Sequence, residues 1–207
     1  LVALDRAVGT LRQKLRDTGI ADNTMPAFNS DNGGRSAVQP SSTGGLRGHK
    51  GSVFEGGLRV PGIIEWPGVI KPRVTNHPAC TLDLFPTVAD IVGLPDSVMI
   101  KPIDGISLRP LFASEVGERQ KPLGFRFGSK LALTGARYKI LTENLGKGVF
   151  QLYDIVNDPN EITDLSTKEP QLFEQMKKEL LAWNDSVSAS FDGKDYPEDK
   201  VTPPDPA

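Results

Sequence analysis

Apolar residues open the chain at three- and four-residue steps. Leu1, Leu4, Val8, Leu11 and Leu15 fall on one stripe of a helix, and Gly19 stands where such a helix would end. Asp22, Asn23 and Thr24 read as a turn, and residues 25–28 as a short strand. Pro26 cannot donate to a sheet ladder, which argues against a regular central strand. A polar, glycine-rich stretch interrupts the pattern until residues 58–66 give a second strand candidate, closed by a Trp66-Pro67-Gly68 turn. A helix, a strand and a ligand-bearing loop at the strand's C-terminal end form the arrangement of open α/β sheets. Residues 81–92 (TLDLFPTVADIV) predict a helix, with Asp83 near its start and Gly93 past its end; Pro86 fits only in the first turn.

The spacing shortens further on. Two extended runs, FRFGSKLAL and ARYKILTE, lie within residues 124–143, and a third, VFQLYDI, covers 149–155. They predict an antiparallel group of strands and hence a smaller α+β lobe. Helical spacing returns over 170–183, where Leu172, Phe173, Met176, Leu180 and Trp183 share a face. From Asp192 onward the chain is rich in Asp, Glu, Lys and Pro, with little to bury, and a loosely attached tail is expected. The divisions that follow are an α/β part over 1–115, a small antiparallel sheet with a helix over 116–190, and a polar tail over 191–207.

Composition narrows the partners. The 207 residues fit one domain or one large and one small lobe, and a chain of this size can bury ~70% of its unfolded surface. A net charge of -2 gives no reason to invoke nucleic acid or an anionic membrane, and no apolar run is long enough to span a bilayer. The single cysteine, Cys80, excludes an internal disulfide. Leu1 is not an initiator methionine, no signal-peptide pattern is present, and the opening inside a helical pattern suggests a fragment or processed product.

The chemistry concentrates in residues 28–61. Asp31 and Asn32 offer hard oxygen donors suited to Ca²⁺ or Mg²⁺. Lys50 offers a compact cation on a flexible stem. Glycines around them permit sharp turns and close approach to a ligand. A metal corner facing an ammonium would hold an anion. The plain readings stand beside this one: an Asx-turn at Asp31 and Asn32, a surface lysine at Lys50, and local pairing at Glu55. Arg47 and Arg59 could bind an anion or help to fold the loop. Asp83 reads as a helix-start residue, Cys80 as a semi-buried filler, and Trp66 and Trp183 as packing residues. Arg137 and Lys139 alternate along a strand and are expected to face solvent. His49 and His77 have no zinc spacing, and neither CxxC nor HExxH occurs.

The run SDNGG at 30–34, LRGHKGSVFEGGLRVP at 46–61 and EWPG at 65–68 resembles the sulfatase family. The agreement continues in DLFPT at 83–87, DGISLRPL at 104–111, ARYKIL at 136–141 and LYDIVNDPNE at 152–161. The resemblance implies an alkaline-phosphatase-like mixed sheet with flanking helices plus a small C-terminal sheet, and hydrolysis of sulfate monoesters with Ca²⁺, Mg²⁺ being second choice. It places Asp31 and Asn32 at the second pair of metal ligands and Lys50 at the lysine that touches the substrate sulfate, with His49 a candidate rim residue. The family's nucleophile is a formylglycine made in a C/S-x-P-S-R motif. That motif does not occur here, and Cys80 lies in ACTLD. The nucleophile and the first pair of aspartate ligands belong to the family's N-terminal half. The resemblance therefore implies a C-terminal half that cannot act alone. Its partners would be that missing half and a sulfate ester, either a small molecule or a sulfated carbohydrate. The alternative is an inactive anion- or Ca²⁺-binding module, or a scaffold remnant. The family suggests a periplasmic or secreted location. A half-domain of this kind is expected to expose a sheet edge and the apolar faces of at least two helices.

Overall fold

A computed structural model describes residues 1–36 and 42–196. The opening stripe forms α1 (Val2–Asp17), capped by Thr18, with Gly19 in the left-handed region at φ +70°. No residue of α1 is buried, and Leu1, Val2, Leu4 and Leu11 are exposed. Arg12 fixes the helix to the strand region by a two-pronged bond to Glu65 at 2.6 and 2.7 Å. The short strand is β1 (Ala27–Asn29). Pro26 stands ahead of it and uses only its carbonyl, which accepts the Glu65 N–H at 3.0 Å, so no ladder donor is lost.

The second strand is shorter than its apolar run. Glu55–Leu58 forms one helical turn, α2, and only Gly62–Ile64 pairs as β2, antiparallel to β1 with Phe28 opposite Ile63. The helical turn is imposed by contact. Gly56 packs against the carbonyls of Arg47 and Gly48, 2.6 Å from where a Cβ would stand, and its N–H donates to the Arg47 carbonyl at 2.7 Å. An extended strand through 55–58 would break that approach.

A short 3-10 turn, Thr81–Asp83, leads into α3 (Leu84–Ile91). Pro86 lies in the first turn, as it must. Phe85 and Val88 of α3, and Val92 just past its end, remain exposed, so α1 and α3 both leave apolar residues uncovered. Asp83 starts the helix but does more than that. It is fully buried, accepts the Cys80 and Ile106 N–H groups at 2.8 Å, and binds Arg119 through both oxygens at 2.9 Å.

Four strands form the second sheet: β3 (Leu123–Phe127), β4 (Lys130–Thr134), β5 (Tyr138–Thr142) and β6 (Gln151–Asp154). They run as an antiparallel meander in chain order. The run FRFGSKLAL is therefore a hairpin rather than one strand: Gly128 turns at φ +58° and Phe127 pairs with Lys130. The last helix, α4 (Pro170–Phe191), extends eight residues past its apolar stripe, and Arg126 reaches its final turns through Ser188 at 2.9 Å. Residues 192–195 are turns and Tyr196 a bend, and the rest of the expected polar tail, 197–207, lies outside the described residues.

Both faces of this sheet are covered. Leu131, Leu133, Ile140 and Leu152 pack with Met176 and Leu180 of α4. Ala132, Leu141 and Tyr153, alternate residues on the same strands, pack instead with Val53 and Phe54 of the glycine-rich segment. Trp183 packs as expected, its ring against Gly124 and its Nε1 donating to Asp104 at 3.1 Å. Trp66 does likewise, edge-on to Phe112 and donating to the Asp22 carbonyl. Among the described residues, no helix is long and apolar enough to cross a membrane.

Asp154, at the end of β6, makes this lobe sensitive to acid. Its carboxylate is bound by Arg137 at 2.7 and 2.9 Å and by the Asn157 side chain and N–H. The Arg137 bond, chiefly, holds it at about 2, well below the ordinary aspartate value. A depressed carboxylate stabilises above the unfolded value and loses that contribution as pH falls from about 4 toward 2. Arg137 is half-exposed, so screening leaves about 1 kcal/mol. Urea midpoints between pH 5 and 2 are expected to fall more steeply for the parent chain than for Asp154→Asn.

Candidate functional site

The two candidate clusters meet through their backbones. The Gly33 N–H donates to the Gly57 carbonyl, and the Lys50 N–H donates to the Gly34 carbonyl, both at 2.9 Å. The bend holding Asp31 and Asn32 and the loop holding His49 and Lys50 are thus laced together. Glycine is required at the seam. A Cβ on Gly33 would overlap the Gly56 carbonyl, and one on Gly34 would overlap the Ser42 side chain.

The side chains at this corner are accessible. Asp31, His49 and Lys50 are exposed and Asn32 is half-buried. Asn32 Nδ2 donates to Asp31 Oδ2 at 2.6 Å, so the two side chains lie against each other. Their oxygens suit a hard cation by type, but Ca²⁺ takes six to eight oxygens. Two side chains fall short of that number, and among the described residues no group of three or more His, Cys, Asp or Glu could hold a metal. His49 Nδ1 lies 2.9 Å from the Lys50 carbonyl. A carbonyl can only accept, so Nδ1 carries the proton and Nε2 is the basic nitrogen of the neutral ring.

The loop rests on the second sheet. Lys130 Nζ, from the start of β4, donates to the Gly51 carbonyl at 2.7 Å. The Arg47 guanidinium lies 3.9 Å above the Phe54 ring and donates to Tyr153 Oη at 3.1 Å and the Glu161 carbonyl at 2.7 Å. Arg47 and Arg59 therefore help to fold the segment, Arg59 through Glu55 at 2.8 Å. Burial pushes the Tyr153 hydroxyl up, against the pull of Arg47.

Lys139 is where expectation and structure part. It is 0% exposed, with Nζ 2.9 Å from Glu55 Oε1 and 2.9 Å from Glu161 Oε1. Arg137, two residues earlier, is half-exposed, as expected. The reason is that the face assumed to meet water is roofed by residues 46–57. Glu55 pairs locally with Arg59 but also across the fold. Glu161 completes the group: it is 0% exposed, and its Oε2 accepts the Glu55 N–H at 2.6 Å. Its contact with Lys139 lies off the line of a hydrogen bond and is chiefly charge to charge. Burial pushes the Glu161 carboxyl up, opposed by Lys139. Reading the chain by residue type passed over Lys130 and Glu161. The parity of Lys139 with the apolar Leu141 was the available signal that Lys139 points inward.

An α/β fold with a laced corner of hard oxygens and a lysine, and a separate antiparallel sheet, is of the alkaline-phosphatase-like class. The chain belongs to the sulfatase family: a family model described as "Sulfatase" matches residues 1–94, and one described as "N-sulphoglucosamine sulphohydrolase, C-terminal" matches residues 49–186. A sulfatase of Formosa agariphila is 32% identical, over 87% of this chain and 38% of its own length. Human arylsulfatase A is 41% identical, over 54% of this chain and 22% of its own. The crystal structure of Ps i-CgsB superposes with a TM-score of 0.76 at 29% identity, covering 95% of this chain and 46% of that one. The chain spans less than half the length of each of these relatives.

Proposed function

We propose that this chain supplies the C-terminal part of a sulfatase active site, with Lys50 binding the ester sulfate and Asp31 and Asn32 contributing ligands to a calcium ion. The observation that supports this most is the pair of backbone bonds joining the Asp31–Asn32 bend to the Lys50 loop, in a chain of this family. Sulfate monoesters carry negative charge on oxygens that gain charge as the ester bond breaks. The Lys50 ammonium neutralises one side of that group and orients it. A calcium ion held by Asp31, Asn32 and further ligands would supply a second positive centre. His49 stands at the rim. Mg²⁺ is second choice, since it demands a tighter octahedron. The nucleophile is not among these residues, and the chain is proposed to act only with an N-terminal half carrying the C/S-x-P-S-R motif.

A sulfated carbohydrate is the favoured substrate class. Ps i-CgsB has been crystallised with k-i-k-neocarrahexaose, and an endo-4-O-sulfatase of Bacteroides thetaiotaomicron is among the relatives, 28% identical over 87% of this chain. A periplasmic or secreted setting accords with such a substrate. The second reading is a non-catalytic anion- or calcium-binding module, which the exposure of Asp31 and the two-donor metal corner favour.

The test joins this chain behind the N-terminal part of the Formosa agariphila sulfatase and assays an aryl sulfate and a sulfated oligosaccharide with Ca²⁺. Lys50→Ala is expected to lower kcat/KM by about 100-fold, and Asp31→Ala to raise the calcium needed for half-maximal rate. Full turnover by Lys50→Ala would overturn the role given to Lys50. Turnover by the unjoined 207-residue chain would overturn the need for a second half.

A further inference from the structure

We infer that Lys139, Glu55 and Glu161 form a positioning device through which the small C-terminal sheet sets the place of Lys50; this rests on the role proposed for Lys50 above. Three buried or nearly buried charged groups come from separate stretches of chain, β5, α2 and the segment after β6. Burying such a group is a poor way to gain stability. A packed apolar trio of similar volume serves as well or better, and the best-attested use of a buried ion group is to fix register.

What this group registers is the glycine segment. Glu161 grips it twice: its carboxylate accepts the Glu55 N–H, and its carbonyl accepts from Arg47. The Arg47 carbonyl in turn accepts the Gly56 N–H, and the Lys50 N–H is tied to Gly34. Lys139 holds the two carboxylates together from beneath. Glu161 is also the one non-glycine residue among those described with a positive φ, +54°. A strained backbone persists where its surroundings over-determine it, and here the surroundings are the loop that carries Lys50.

Lys139 and Glu161 are thus positioning residues: they touch the loop and not the substrate. A device of this kind differs from ordinary core packing in what its loss loosens. Breaking packing weakens the whole lobe together. Breaking the device frees residues 46–57 while the β3–β4 hairpin and α4 stay closed.

The experiment is amide hydrogen exchange on the 207-residue chain and on Lys139→Met, Glu161→Gln and Arg137→Gln. Arg137 is the control: it pairs with Asp154 on the same sheet and, among the described residues, makes no bond to residues 46–57. Lys139→Met and Glu161→Gln are expected to speed exchange at the Lys50 and Gly56 amides about tenfold relative to Leu133. Arg137→Gln is expected to leave that ratio unchanged. Uniform acceleration of all these amides, or none, would overturn the inference. Glu161→Gln keeps the shape of the side chain and tests the same point if Lys139→Met does not fold.

The second readout uses the joined enzyme. Lys139→Met is expected to lower kcat about tenfold with a smaller change in KM, and Lys139→Arg, which keeps the charge, to recover most of the loss. An unchanged kcat beside a large loss in Lys50→Ala would overturn the inference and leave the proposed function standing. An unchanged rate in Lys50→Ala would overturn the proposed function, while the exchange ratios would still report on the device.

Discussion

Replacing Arg119 by methionine is expected to cost about 3–5 kcal/mol of unfolding free energy, a large fraction of what a domain of this size has. Arg119 and Asp83 are both closed to water, and Arg119 clasps the carboxylate with two bonds of 2.9 Å. The guanidinium also donates to the Lys121 and Pro78 carbonyls, at 2.6 and 3.3 Å. Truncation leaves a buried carboxylate with no countercharge, and it leaves the 119–121 segment untied from the turn ahead of α3. The damage is not symmetrical with the worth of the pair. Asp83→Leu combined with Arg119→Met removes both charges and is expected to recover part of the loss, short of the parent because the Cys80 and Ile106 N–H groups lose their acceptor. Urea denaturation of the single and double variants measures this. A single variant costing less than about 1 kcal/mol, the range of an exposed pair, would show that the site is wetter than the structure describes.

The second large effect is expected at Gly33. Its added methyl group in Gly33→Ala would stand 2.7 Å from the Gly56 carbonyl carbon and 2.8 Å from Gly57 Cα, and nearer still to the carbonyl oxygen. These are backbone atoms and cannot rotate aside. Relief requires the two halves of the corner to separate, which breaks the Gly33–Gly57 bond and moves Asp31 and Asn32 away from Lys50. The stability cost of overpacking is about 1–3 kcal/mol. Turnover by the joined enzyme is expected to fall far more, by at least about 100-fold, because misplacement of about 1 Å is enough for that. Gly62→Ala, where nothing stands within 4 Å, should leave the rate unchanged. Equal rates for Gly33→Ala and Gly62→Ala would separate the corner from the chemistry.

Much of the architecture could be read from spacing alone. The stripe of α1 and the apolar face of α4 followed from a three- and four-residue repeat, and the first-turn position of Pro86 in α3 from proline's missing N–H. Strand limits were harder because contacts set them. The turn at Glu55–Leu58 exists because Gly56 presses against the Arg47 and Gly48 carbonyls and Gly57 against those of His49 and Ser52, and no local preference announces that. The hairpin within FRFGSKLAL was marked only by Gly128-Ser129. For the site, residue chemistry left Asp31 and Asn32 open to an ordinary turn and Lys50 to an ordinary surface position, and family resemblance tipped the balance. The structure adds the two backbone bonds between the halves of the corner. Lys139 shows what stays hidden. Glu55 lies 84 residues from it along the chain, and a lysine beside such a partner looks, in sequence, like any other on a strand.

The meander of β3 to β6 carries a practical consequence through the side it turns toward Val53 and Phe54. Anyone wishing to transplant the corner formed by Asp31, Asn32 and Lys50 into a smaller scaffold would be tempted to discard everything after α3 as decoration. That trimmed graft would lack the floor under the loop that carries Lys50. A minimal engineered version has to include the four-stranded platform.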